Sequence, residues 1–117
     1  MTGLQRLAVL ADWLETIPPE RIEMGAWKCG TSACAVGWGC ASPALAEEGL
    51  RFATRWGSVE SPSYDGRSDW DAVEAFFDLT FDEADFLFFD YDDPSKSAVV
   101  ARIREFIRSK EQTDATA

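Results

Sequence analysis

Apolar positions recur at helical spacing near both ends of the chain and switch to alternation once in between. Leu7, Leu10, Leu14 and Ile17 form one stripe with Trp13 at its edge, while Gln5, Asp12 and Glu15 fall outside it. This predicts a helix over residues 3–17, stopped by Pro18 and Pro19. A connector with one short helical turn follows over residues 20–28. Residues 32–41 then contain no charged side chain, and a helix with no polar face belongs inside. At about ten residues it is too short to cross a bilayer, which takes about 20. Thr31 and Ser32 are suited to cap it, Gly30 to turn the chain into it, and Ala33, Ala35, Gly37 and Gly39 to let other backbones approach. Cys34, Trp38 and Ala41 share one side of it. It reads as the central core helix.

Beyond it, Ser42-Pro43 has the form of an N-cap with proline in the first turn, opening a short helix that ends at Gly49. The period then changes. Leu50, Phe52, Thr54 and Trp56 alternate with Arg51, Ala53 and Arg55, which predicts a small β-hairpin turning at Gly57-Ser58 and returning through Val59. Residues 61–66 read as a mobile loop. Ser68 with Asp71 resembles a capping box, and the helix after it turns Trp70, Val73, Phe76 and Phe77 inward and Asp71, Glu74 and Asp78 outward. Thr80 with Glu83 makes a better box and opens a helix to about Phe89. Asp93-Pro94-Ser95 begins the last helix. Its inner face is Val99, Val100, Ile103, Phe106 and Ile107, and its exterior is Arg102, Arg104, Arg108 and Lys110, with the later cations suited to the negative end of the dipole. Residues 1–111 form a single globular domain in this reading, with residues 112–117 a frayed tail. The fold class is mainly α, with a small β-hairpin insertion around a buried central helix.

The segment Cys29-Gly-Thr-Ser-Ala-Cys34-Ala-Val-Gly-Trp38 resembles the Cys-Gly-Thr-x-x-Cys-x-x-Gly signature of a group of small, uncharacterised bacterial and phage-borne proteins. Met24-Gly-Ala-Trp27 is similar to the Met-x-x-Trp that precedes the signature in that group. Residues 79–88 are similar to its later Leu-Thr-x-x-Glu-Ala-x-x-Leu-Phe, so the likeness covers most of the chain. The resemblance implies a shared fold and no activity.

Charge sharpens the picture. The chain carries a net charge of −10, and ten of its 21 acids lie in residues 68–94 (Asp69, Asp71, Glu74, Asp78, Asp82, Glu83, Asp85, Asp90, Asp92, Asp93), where there is no Lys or Arg. The other 11 acids meet 11 basic residues, so the whole excess sits in one segment. Nucleic acid and anionic membrane would repel it, and a basic protein surface would attract it. A content of 46% hydrophobic residues argues for a packed core rather than disorder. The opening residues lack the charged start and apolar run of a signal peptide, and three cysteines without one point to free thiols in a reducing cytoplasm.

Candidate chemistry is sparse. With no histidine in the chain, Cys–His and Ser-His-Asp catalysis and histidine zinc sites are excluded within one protomer. The Cys-x4-Cys-x5-Cys spacing of Cys29, Cys34 and Cys40 is not that of a zinc ribbon or finger, and a Cys29–Cys34 disulfide is disfavoured in a reducing compartment. No stretch fits a calcium loop, and nothing singles out two catalytic carboxylates among the 21 acids. No catalytic residue, metal or cofactor is expected.

More informative is the stretch of residues 81–91, set on a helical wheel. Phe81, Ala84, Leu87, Phe88 and Tyr91 share an arc predicted to face the core, whereas Phe86 and Phe89 fall among Asp82, Asp85 and Asp90. Aromatics interleaved with acids suit a partner with a basic, partly apolar groove; the other reading is that a neighbouring helix covers this side as well. The expectation is a non-enzymatic acidic protein-binding module that contacts a basic, nucleic-acid-binding surface through Asp78, Asp82, Glu83, Asp85, Phe86, Phe89, Asp90, Asp92 and Asp93. Phage inhibitors that mimic nucleic acid supply the analogy. The alternative is a thiol-based redox or transfer protein using Cys29 and Cys34, since the positive end of a helix dipole near Cys34 can activate a thiol. Acidity serving solubility alone, partly neutralised by the basic last helix, is the rival to both.

Overall fold

A computed structural model describes residues 1–22, 34–55, 59–89 and 95–116. In chain order these form α1 (Gly3–Glu15), a 3-10 turn (Pro19–Arg21), α2 (Ala35–Cys40), α3 (Pro43–Glu47), β1 (Arg51–Arg55), β2 (Val59–Tyr64), β3 (Arg67–Ser68), α4 (Asp69–Phe77), α5 (Phe81–Phe88) and α6 (Lys96–Thr116). The architecture is mainly helical with one small antiparallel sheet, as the periodicities predict.

The leucine stripe decides how α1 packs. Leu7, Leu10 and Leu14 are fully buried, and α1 lies against α6, α2, α4 and α3. Each such leucine stabilises by about 1.5–3 kcal/mol relative to an exposed one. Thr2 caps α1 by accepting from the Gln5 amide, while Gln5 Oε1 accepts from Thr2 N–H at 2.8 Å, closing a capping box. Helix α2 is buried on nearly all sides, with only Trp38 half-exposed. Its backbone comes so close to α1 that a Cβ on Gly39 would sit 3.2 Å from Leu10 Cδ1. Trp13 Nε1 ties the two helices by donating to the Trp38 carbonyl at 2.7 Å, satisfying an oxygen near the end of α2. Trp38 Nε1 in turn donates to the Arg21 carbonyl.

Several boundaries differ from the periodicity. Helix α2 begins at Ala35 with Cys34 as its N-cap, not at Ser32, and Cys34 Sγ accepts from the Gly37 amide. The expected caps Thr31 and Ser32 lie outside the described residues, as does the predicted turn at Gly57-Ser58. Residues 61–64, expected in a loop, are instead the last four residues of β2, and the sheet is a three-stranded meander in the order β1-β2-β3. The cause is Asp65-Gly66, whose φ values of 51° and 77° give the two-residue turn that joins β2 to β3.

That turn also explains how Pro62 sits in a central strand. Tyr64 and Arg67 flank the turn, so they are the pair that exchanges hydrogen bonds. Backbone groups alternate sides along a strand, which points those of Pro62 the same way, past the end of β3. No ladder bond is lost. Ser68 is the N-cap of α4 but makes no side-chain cap bond, contrary to the expected box with Asp71. Ser68 is extended as the last residue of β3, and Asp69 after it has a φ of 56°, so the first turn of α4 lacks the regular backbone that a capping box needs. Thr80 and Glu83 do form the predicted box. The last helix continues through Thr116, beyond the expected end of the globular domain at residue 111.

Helices α1 and α4 meet at Gly3. A Cβ there would lie 2.7 Å from the Phe77 carbonyl carbon and 2.8 Å from Asp78 Cβ. Glycine to alanine within a helix ordinarily gains about 0.5–1 kcal/mol. Here Gly3→Ala is expected to lose about 1–3 kcal/mol, because backbone must move to admit the methyl group. Chemical denaturation measures this, and unchanged or increased stability would contradict the close α1–α4 contact.

Candidate functional site

The acidic segment folds into α4, α5 and the turns around them, and its residues separate into three environments. On the outer side of α4, Asp71, Glu74 and Asp78 join Tyr64, Asp65 and Arg67 around an open polar cleft of about 520 Å³. Asp78 ends α4 in the left-handed conformation with a φ of 54°, so its side chain leaves the helix at the junction with α5. Among the described residues, no group of three or more His, Cys, Asp or Glu is placed to hold a metal ion.

The second environment is the outward arc of α5. With about 3.6 residues per turn, Phe81, Asp85, Phe89, Asp82 and Phe86 follow one another around the exposed half of this helix. Phe81 is 65% exposed, Phe86 49% and Phe89 52%, while Ala84, Leu87 and Phe88 are buried. Phe81 therefore corrects the wheel reading, which placed it in the core. It occupies the first helical position, at the edge of the apolar arc, and its ring projects outside the packed side of α5. Tyr91, assigned to the same arc, lies outside the described residues. Asp82 is exposed, Asp85 is half-buried, and neither makes an ion pair with a described residue.

Trp70 from α4 meets this arc. Expected inward, it is instead half-buried, and its ring stands edge-on to Phe89 with centroids 5.8 Å apart and planes 80° apart. Trp70, Phe81, Ala84, Asp85 and Phe89 enclose a cleft of about 250 Å³, mostly apolar with one carboxylate on its wall. Sequence reasoning missed Trp70 and Phe81 as members of this surface. For Phe81 the i, i+4, i+8 spacing to Asp85 and Phe89 was available; for Trp70 only the α4–α5 packing reveals it.

Glu83 belongs to the third environment and leaves the proposed contact set. It accepts from the Thr80 amide at 2.9 Å and pairs with Lys110 on α6 at 2.6 Å, so its carboxylate is already engaged within the chain. The Lys110 ammonium first, and the Thr80 amide second, hold its carboxyl below the ordinary glutamate range. Two other cations of α6 serve acids outside the segment: Arg104 pairs with Asp12 and Glu15 of α1, and Arg108 pairs with Glu105. Arg102 donates to the Phe86 carbonyl. Asp90, Asp92 and Asp93 lie outside the described residues.

The thiols sit elsewhere. Cys34 and Cys40 are free and buried in the core. Burial raises the Cys34 thiol despite the Gly37 amide, and burial aided by Cys34 pushes Cys40 up to about 12. Cys34 is the cap of α2 rather than a residue near its third position, and α2 is only six residues long, which leaves little dipole to oppose desolvation. Cys29 lies outside the described residues.

Two outcomes follow. Glu83 is expected to titrate below about 4.3, the midpoint of a free glutamate, and Lys110→Met should move its midpoint upward in a carboxyl-resolved NMR titration. Because the folded midpoint is depressed, the contribution of Glu83 to stability is complete above the ordinary glutamate range and is lost as pH falls through the lowered midpoint. An unmoved midpoint in Lys110→Met would rule out the ion pair as the cause. Cys34 and Cys40 should resist alkylation in the folded protein at mildly alkaline pH and react on unfolding, read by peptide mass mapping; rapid native labelling of Cys34 would restore an active thiol.

No protein-family model, curated protein or solved structure matches this chain, so the residues themselves carry the functional reading.

Proposed function

We propose that this protein is a non-enzymatic acidic binding module that occupies a basic, nucleic-acid-binding surface on a partner protein. The observation that carries this reading is the outward arc of α5, where three exposed phenylalanines alternate with Asp82 and Asp85, neither of them in an ion pair with a described residue. Solvated acids serving solubility need no aromatic rings between them, and exposed rings of this size are costly unless a partner covers them. Charge would speed encounter with a cationic surface, and the rings would add contact area once the partner docks. The contact set is Asp78, Asp82, Asp85, Phe86 and Phe89, joined by Trp70 and Phe81, with Asp90, Asp92 and Asp93 next in sequence.

Competition with nucleic acid is the form of action that such a surface supports, as in phage inhibitors of host defence, and the resemblance of the Cys29–Trp38 signature to phage-borne proteins agrees with it. The action needs no cofactor and suits the reducing cytoplasm, where free thiols persist. No helix among the described residues is long and apolar enough to cross a membrane. The thiol alternative has less support, because Cys34 is buried with a raised pKa and no histidine can activate it.

The test is capture of partners from a native lysate, followed by displacement of duplex DNA from what is captured. Wild type is compared with Asp78→Asn/Asp82→Asn/Asp90→Asn, which leaves Asp85 in place; asparagine tolerates the left-handed backbone at position 78. Wild type should hold a basic partner, release it as salt rises, and displace its DNA, with the variant weaker by about tenfold or more. Equal capture by both proteins, or partners that are not basic, would defeat the reading. Cys34→Ala should leave capture unchanged.

A further inference from the structure

The cleft between α4 and α5 has the composition of a receptor for one cationic side chain. Trp70 and Phe89 meet at 80° and make two walls of a corner, and Phe81 lies two helical turns before Phe89 on the same side of α5. Asp85 falls midway between those phenylalanines along the helix and lines the same space. Aromatic faces attract a cation, tryptophan most strongly, and the attraction grows as water is removed. A carboxylate among them adds a charged acceptor. At about 250 Å³ the cleft is smaller than the roughly 300–1,000 Å³ of small-molecule sites. That size suits one side chain.

We infer that this cleft binds an arginine side chain presented by the basic partner, with the guanidinium stacked on Trp70 or Phe89 and hydrogen-bonded to Asp85. Arginine fits better than lysine because its planar group can stack on a ring while its edge donates two parallel hydrogen bonds to a carboxylate. Its apolar stem would lie along Phe81 and Ala84. The same protein already uses this chemistry internally. The Arg6 guanidinium sits 4.4 Å from the centroid of Phe76 and 5.4 Å from that of Tyr64, with Glu48 at 3.4 Å, in a part-buried site. The α4–α5 cleft repeats that combination of rings and carboxylate, open to an outside donor. Asp85 has no cation of its own among the described residues, so the acceptor is available. The inference rests on the binding-module reading and specifies how that surface holds its partner.

The test is an NMR titration of the whole protein with short peptides that are identical except at one central position: arginine, citrulline or trimethyllysine. The Trp70 indole N–H signal, assigned by its loss in Trp70→Phe, is the reporter. The arginine peptide should shift that signal and the citrulline peptide, neutral but of the same shape, should not. Asp85→Asn and Phe81→Ala should each weaken the arginine peptide by about tenfold. Phe81 is exposed enough that its removal leaves the core intact, and Asp85→Asn keeps the side-chain volume. Equal binding of citrulline, tighter binding of trimethyllysine, or a Trp70 signal that no peptide moves would overturn the assignment of arginine. Those results leave the wider reading standing if Asp78→Asn/Asp82→Asn/Asp90→Asn, with Asp85 intact, still loses the basic partner. Failure of that capture with an intact response to the arginine peptide would instead strike the wider reading alone.

Discussion

The burial of the α1 leucine stripe is the constraint on which the rest of this fold depends. Leu7, Leu10 and Leu14 leave water completely, and to do so they draw in α6, α2, α4 and α3 at once. Helix α2 needs the same arrangement from its own side. It is six residues long, carries two glycines and has no charged face, so local propensity cannot sustain it. Packing against α1, with Trp13 bonded to the Trp38 carbonyl, stabilises it instead. Cys34 and Cys40 belong to the same buried cluster, where cysteine packs as a small apolar side chain.

Once the core is closed, the distribution of ion pairs decides what remains for function. Helix α6 carries five cations, enough to offset half of the ten acids in residues 68–94. Yet Arg104 turns to Asp12 and Glu15, Arg108 pairs within its own helix, and Lys110 reaches the acidic segment at Glu83. Such exposed pairs add little stability, about 0–1 kcal/mol each. Their effect is on the surface potential: Arg104 and Arg108 are engaged by acids of α1 and α6, while Asp71, Asp78 and Asp82 stay exposed. An acidic segment only partly offset in this way attracts a cationic partner. The aromatic arc of α5 lies among its acids.

That arc shows where reading residues in order succeeds and where it stops. Phe86 and Phe89 were legible as outward-facing, because they are out of phase with Ala84, Leu87 and Phe88. Phe81 was misread, since a wheel treats the first residue of a helix, at the edge of the apolar arc, as equal to its interior. Glu83 looked like one more acid of the contact surface until its partners, Thr80 three residues before it and Lys110 on another helix, were seen together. The third strand was missed although its signal was present: Asp65-Gly66 is a hairpin turn, but Ser61-Pro-Ser beside it suggested a loop.

The sequence by itself determined the elements whose causes are local. Helical and alternating periods set α1, α4, α5, α6 and β1; Thr80 with Glu83 and Ser42 with Pro43 fixed where helices begin; and the run of acids in residues 68–94 set the sign of the surface. Only the tertiary structure decided that Asp82 and Asp85 have no ion pair among the described residues, that Cys34 is a buried cap, and that Trp70 meets Phe89 across two helices to open a cleft beside Asp85. Capping bonds and helical periods act over three or four residues, so one stretch of chain contains them. Ion pairs between α6 and α1 and the α4–α5 cleft join residues whose separation along the chain carries no signal, and they arise only when burial of the leucine stripe brings those helices together.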